Sequence, residues 1–125
     1  MQAFLFVGLG GALGAMGRYG VGLFVGRNWH AGFPLATLLV NILGSLLMGL
    51  FIGYLAKTTP DWQASARLFV AVGVLGGFTT FSAFSLDVVT LLERGNIGSA
   101  IIYSGISFVV PVIALLGGLM FMRGV

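Results

Sequence analysis

The sequence predicts an all-α membrane protein of one domain, residues 1–125, in which four helices cross the bilayer and the third is broken near its middle by the polar stretch Gly76 to Ser85. Three observations predict it. Only 7% of the residues are charged and 58% are hydrophobic, against about 25% charged in a soluble domain, so the chain lacks the hydrated groups to cover a water-facing surface. Four apolar runs fill it, roughly Ala3 to Val25, Phe33 to Ala56, Leu68 to Leu92 and Ile97 to Met122, and each meets the requirement of about 20 apolar residues for crossing hydrocarbon. The gaps between the runs are short and hold most of the charges: Arg27 and His30, then Lys57, Asp61 and Arg67, then Glu93 and Arg94.

Composition also excludes function classes. The net charge of +3 comes from six scattered cations with no basic patch for nucleic acid. The absence of cysteine excludes a disulfide framework and thiol chemistry. There is no HExxH, Cys/His cluster, P-loop or Ser-His-Asp arrangement, and no soluble stretch long enough for a separate catalytic unit, so no enzyme is expected. The one histidine, His30, sits in a short loop without a partner ligand, and no metal site is expected there.

The first run is not a cleavable signal peptide: it has no basic n-region, it is too long for an h-region, and Arg18 lies inside it. It carries a ladder of Gly10, Gly14, Arg18, Gly22 and Gly26. Steps of four keep one helix face aligned, and small residues there let a second helix approach closely. A cation within a span costs several kcal/mol unless paired or wetted, so Arg18 belongs either in a water-filled vestibule or at a helix interface as an anchor.

The second run repeats the four-residue step with Thr37, Asn41 and Ser45, then Gly49 and Gly53. This stripe of uncharged hydrogen-bonding groups reads either as interhelical glue or as part of a polar pathway. The Asn41 amide brings two donors that an anion can use.

In the third run, Gly76-Gly77-Phe78-Thr79-Thr80 joins poor helix formers. A break at membrane depth frees carbonyls and amides that protein, water or an ion must satisfy. Carbonyls of the upstream half suit a small cation, and the N-terminus of the downstream half suits an anion. The alternative is a kinked helix with threonine hydroxyls bonded back to carbonyls. Phe81 and Phe84 share one face of the downstream half beside Ser82 and Ser85, and a ring edge is electropositive. Asp87 reads as an acid at a helix interface, or as the partner of a cation such as Arg94.

The fourth run places Ser99, Tyr103 and Ser107 at steps of four, with Pro111 one turn on as a kink candidate. Their hydroxyls either continue a polar track or bond to neighbouring helices.

Four spans put both termini and the second loop on one side, with Lys57, Arg67 and Arg123, and leave Arg27 and Arg94 on the other. So weak a positive-inside bias admits insertion in both orientations and antiparallel pairing.

Taken together, Gly-Arg-Tyr at 17–19, Ala-Thr-Leu-Leu-Val-Asn-Ile-Leu-Gly-Ser at 36–45 and Gly-Gly-Phe-Thr-Thr-Phe-Ser-Ala-Phe-Ser at 76–85 resemble the fluoride channel family known as CrcB or Fluc, over nearly the whole chain. The resemblance implies a fluoride-selective channel in the bacterial plasma (inner) membrane that lets the ion leave the cytoplasm passively and relieves its toxicity. It implies an antiparallel, dual-topology homodimer with two pores and a structural sodium ion at its centre. Carried across by motif, the pore phenylalanines are Phe81 and Phe84 and the pore asparagine is Asn41. Backbone carbonyls of Gly76 and Thr79 hold the sodium, and Arg18 matches the first-span arginine. Thr37, Ser82, Tyr103 and Ser107 are candidates for the polar track. Two departures stand beside the match: Gly73-Val74-Leu75 replaces the usual Gly-Phe-Cys, and Phe78 replaces the usual leucine.

Two other readings compete. A small four-span multidrug or guanidinium exporter needs a coupling carboxylate, usually in the first span, and the first two spans have no acid. A purely structural membrane protein predicts no ion flux and leaves the Gly76 to Ser85 stretch without a reason.

Overall fold

The computed structural model describes residues 1–29 and 31–125, so the expectation for His30 lies outside the described residues. Among these residues the fold is all helical: α1 (Gln2–Asn28), α2 (Leu35–Thr58), α3 (Gln63–Ala66), a π-helical segment (Arg67–Leu75), α4 (Gly76–Phe78), α5 (Phe81–Glu93) and α6 (Ile97–Gly124). Four stretches are long and apolar enough to cross a membrane: α1, α2, the run Gln63–Glu93, and α6. At about 1.5 Å per residue, α1 and α6 each reach about 40 Å, longer than the hydrocarbon core of about 30 Å.

The turns follow local chemistry. Pro34, which has no N–H to give up, stands just before α2. Thr59 ends α2 in the left-handed region, with φ 40°. After α5 the chain reverses through Gly95, at φ 80°. Its amide bonds to Leu92 and the Asn96 amide bonds to Leu91, the paired closure that a glycine in this conformation allows. Pro111 lies inside α6, which runs on through it as one helix. Proline there cannot donate to the carbonyl of Ser107, four residues earlier.

Two packed units make up the molecule. α2 lies along α6, and α1 lies along the π-helical segment and α4. Glycines set both contacts. A Cβ at Gly10 or Gly14 would overlap the Phe69 or Val74 carbonyl, and Gly73 and Gly77 meet the α1 backbone from the other side. Gly49 and Gly118 do the same between α2 and α6. The ladder expected on α1 therefore divides at Arg18: Gly10 and Gly14 are covered, and among the described residues nothing lies within 4 Å of a Cβ at Gly22 or Gly26. Gly14→Ala is expected to lower stability by about 1–3 kcal/mol through overpacking, while Gly26→Ala is neutral or slightly stabilising through helix propensity. Thermal unfolding in detergent measures both.

The buried core is small. Leu38, Phe84, Leu91, Ala100 and Tyr103 form one cluster, capped by Phe33, Ile42, Val88 and Ile106. Large apolar side chains such as Phe4, Met16, Ile101 and Phe121 are exposed. So much exposed apolar surface exceeds what a water-soluble monomer tolerates and matches a surface that lipid or another protein covers.

Candidate functional site

The site is built around two extended residues. Within Gly76 to Ser85, the stretch expected to break the third span, two residues are extended: Thr79 (φ −87°, ψ 159°) and Thr80 (φ −156°, ψ 123°). Gly76–Phe78 and Phe81–Glu93 are helical on either side. Propensity disfavours the glycines in a helix by about 1 kcal/mol each, but at position 77 backbone contact with Gly11 of α1 demands one.

Side-chain hydrogen bonds hold this segment, and two of them divert a helical backbone amide. The Thr79 amide and its hydroxyl both donate to the Leu75 carbonyl, at 3.0 Å each, so the back-bonding threonine and the extended backbone occur together. The Thr80 amide, which in a continuous helix would donate to Gly76, donates instead to Asn41 Oδ1 at 2.8 Å. Asn41 Nδ2 returns a bond to the Thr80 carbonyl at 3.0 Å. The Thr80 hydroxyl accepts the Ala83 amide at 3.1 Å, capping α5 and removing the donor that would otherwise reach Thr79. It also pairs with Ser82 Oγ at 3.2 Å. Arg18 Nε donates to the Gly77 carbonyl at 3.2 Å.

The carbonyls of Gly76 and Thr79 thus lose their helical amide donors to Asn41 and to the Thr80 hydroxyl, while Gly77 is occupied by Arg18. Carbonyl oxygens without amide donors are hard ligands suited to a small cation. Among the described residues no cluster of three His, Cys, Asp or Glu offers an alternative metal site. The chemistry of Gly76 and Thr79 fits the sodium that the sequence resemblance implies.

Asn41 is mainly a strut. One Nδ2 hydrogen is taken by Thr80, which leaves one, not two, for any ion. It lines a cleft of about 300 Å3 with Ser45, Thr79, Thr80, Phe81, Phe84, Ser107 and Phe108. Phe81 is 69% exposed and Phe84 8%. Their ring centroids are 5.4 Å apart, and Phe84 also meets Tyr103 at 5.2 Å and Phe108 edge-on at 6.1 Å. Ser107 Oγ is buried beside the Tyr103 hydroxyl, and among the described residues no partner meets it in hydrogen-bond geometry. Arg18 lines a different cleft, of about 380 Å3, with Thr37, Val40 and Ala83, and Thr80 borders both clefts.

Tyr103 is fully buried, with Phe33 edge-on at 5.5 Å. Its hydroxyl donates to Asp87 Oδ2 at 2.9 Å, and Thr37 and Ser107 flank it. Asp87 is therefore an acid at the α5–α6 interface. Arg94 lines the same cleft of about 340 Å3, but the hydrogen bond of Asp87 goes to the tyrosine.

The structure thus gathers Asn41, Thr79, Phe81, Phe84 and Ser107 on one cleft and Arg18 and Thr37 on another, both bordering Thr80, with Tyr103 packed against Phe84. Ser82 is exposed at the start of α5 beside Thr80, and Gly76 is exposed on the upstream side. Thr80 is the residue that sequence reasoning passed over. Its signal was present: a threonine standing directly before an apolar helical run is a capping pattern. The Asp87–Tyr103 bond carried no such signal, because the two lie on different helices.

Comparison with known proteins shows the family. A family model described as "CrcB-like protein, Camphor Resistance (CrcB)" matches residues 5–119. A "Fluoride-specific ion channel FluC" from Hyphomonas neptunium is 52% identical over 123 residues, covering 98% of this chain and 97% of that protein. A "Fluoride-specific ion channel FluC 2" from Nitrobacter hamburgensis is 47% identical over 123 residues, 96% of each. A "Fluoride-specific ion channel FluC" from Thermus thermophilus is 48% identical over 118 residues, 94% of this chain and 93% of that protein. With the family model spanning most of its length and relatives near half identical end to end, this chain belongs to the CrcB family.

Proposed function

We propose that the chain is a fluoride-selective channel that lets fluoride leave the cytoplasm by passive electrodiffusion. The observation that carries the reading is the cleft lined together by Asn41, Ser107, Phe81 and Phe84, in which the Asn41 amide keeps one N–H beyond its bond to Thr80, in a family whose relatives bear the name of fluoride-specific channels. Fluoride is small and strongly hydrated, so a pore must replace its water with donors and positive edges at little net cost. A fixed cation in the narrow path would hold the ion too firmly to release it. Neutral hydroxyls, an amide and ring edges offer intermediate strength, and Arg18, its charge placed in the neighbouring cleft, can draw anions toward the entrance without trapping them. Thr37, Ser82, Tyr103 and Ser107 extend the hydroxyl track.

The working unit in this reading is an antiparallel, dual-topology homodimer in the bacterial inner membrane, with two pores and the Thr79–Thr80 segments near mid-membrane. The weak charge bias and the high exposure of Phe81 within one chain support it. Sodium bound to the Gly76 and Thr79 carbonyls would supply fixed positive charge at the dimer centre. This chain prepares for it by diverting the two amides that would otherwise satisfy those oxygens.

Purified protein in liposomes tests the reading. Fluoride efflux at least about a hundredfold faster than chloride efflux is the expected result. Equal halide rates, or no fluoride efflux above empty liposomes, would reject it, and cation efflux driven by a pH gradient would favour an exporter instead.

A further inference from the structure

Gly44 lies one turn after Asn41 on α2 and is buried. A Cβ there would overlap Cγ2 of Thr79 and approach Phe78 Cδ2 at 3.3 Å. The Thr79 methyl therefore sits in the notch that Gly44 leaves in α2, while its hydroxyl is bonded to the Leu75 carbonyl at 3.0 Å. A β-branched side chain has few χ1 choices. Rotating the methyl out of the notch breaks the hydroxyl bond, and keeping both holds the Thr79 Cα and Cβ against α2.

We infer that Gly44 is a positioning residue: by admitting the Thr79 methyl it holds the Thr79 Cα in place, while Asn41, three residues earlier, holds the N–H of the Thr79–Thr80 peptide, so that the two together aim the Thr79 carbonyl. The segment Asn41–Gly44 is thus a template on α2 for both extended residues. Glycine is required at 44 for the space it leaves; its own backbone is ordinary helix. Serine at position 79 would keep the hydroxyl and lack the methyl, so the requirement at 44 should vanish with it. The inference rests on the channel reading above for what the carbonyl does.

The test is a double-mutant cycle in liposomes and in detergent. Gly44→Ala is expected to lower fluoride efflux by about tenfold and to raise the sodium concentration that gives half-maximal flux. In the Thr79→Ser background the same change at 44 should cost less than about twofold. An equal loss in both backgrounds, or no loss in the first, overturns the inference. So does a loss of thermal stability with no change in the sodium requirement, since packing alone would produce that. If the unmodified protein passes no fluoride, the channel reading falls. The same cycle read by thermal unfolding then decides the Gly44–Thr79 pairing by whether Thr79→Ser relieves the destabilisation.

Discussion

Phe81→Ile is expected to cut fluoride efflux by about tenfold while leaving thermal stability nearly unchanged; Phe84→Ile is expected to cut efflux as far and to destabilise the protein as well. The difference lies in burial. Phe81 exposes 69% of its surface within one chain and Phe84 8%. Isoleucine at 81 gives up a ring edge and little intrachain packing. Isoleucine at 84 also loses three aromatic neighbours, Phe81, Tyr103 and Phe108, and leaves a partly unfilled site costing about 1–3 kcal/mol. A ring-edge interaction is worth about 1 kcal/mol, and about 1.4 kcal/mol of lost stabilisation at the rate-limiting point corresponds to tenfold. Efflux traces from liposomes, set beside unfolding curves of the same preparations, separate the two effects. Normal efflux from either variant would remove the rings from the pore.

The second large effect is at Asn41. Asn41→Leu keeps the side-chain volume and removes both bonds to Thr80, leaving its amide and carbonyl without protein partners. Each unsatisfied buried backbone group costs about 1–3 kcal/mol, so a stability loss of about 2–4 kcal/mol is expected, together with loss of fluoride flux and of the sodium requirement. With its amide unheld, the Thr79–Thr80 peptide is free to turn, which takes the Thr79 carbonyl out of its place. Asn41→Asp distinguishes strut from ligand. It keeps the acceptor for the Thr80 amide and loses the donor to the Thr80 carbonyl, so it should retain more stability than Asn41→Leu while its negative charge blocks fluoride. A stable Asn41→Leu protein with normal flux would refute both roles.

Much of this protein was legible in one dimension. The spans are set by hydrophobic length, which depends on composition along the chain: the four stretches fall within a few residues of the apolar runs, except that the third begins earlier, at Gln63. The candidate pore groups were legible because Asn41 and the stretch from Gly76 to Ser85 are too polar and too rich in poor helix formers for a plain span. Local pattern failed where the outcome depended on a neighbour. The glycine ladder on α1 looked uniform, yet only its first half meets another backbone. The segment Arg67–Leu75 is π-helical, and nothing in its apolar composition distinguishes it from an ordinary helix. Asp87, read as an acid at a helix interface or as the partner of a cation such as Arg94, does lie at the α5–α6 interface, but its partner there, the Tyr103 hydroxyl, was not legible in sequence.

The extended segment shows the division most clearly. Residue types alone marked Gly76 to Ser85 as a place where a helix is weak. Which carbonyls are left open there was settled by Asn41, 39 residues away, taking the Thr80 amide, and by Arg18, 59 residues from Gly77, occupying the carbonyl between. A helix keeps its own hydrogen bonds unless another group offers a better-placed partner. Only the packing of α1 and α2 against this segment brings those partners within 3.2 Å.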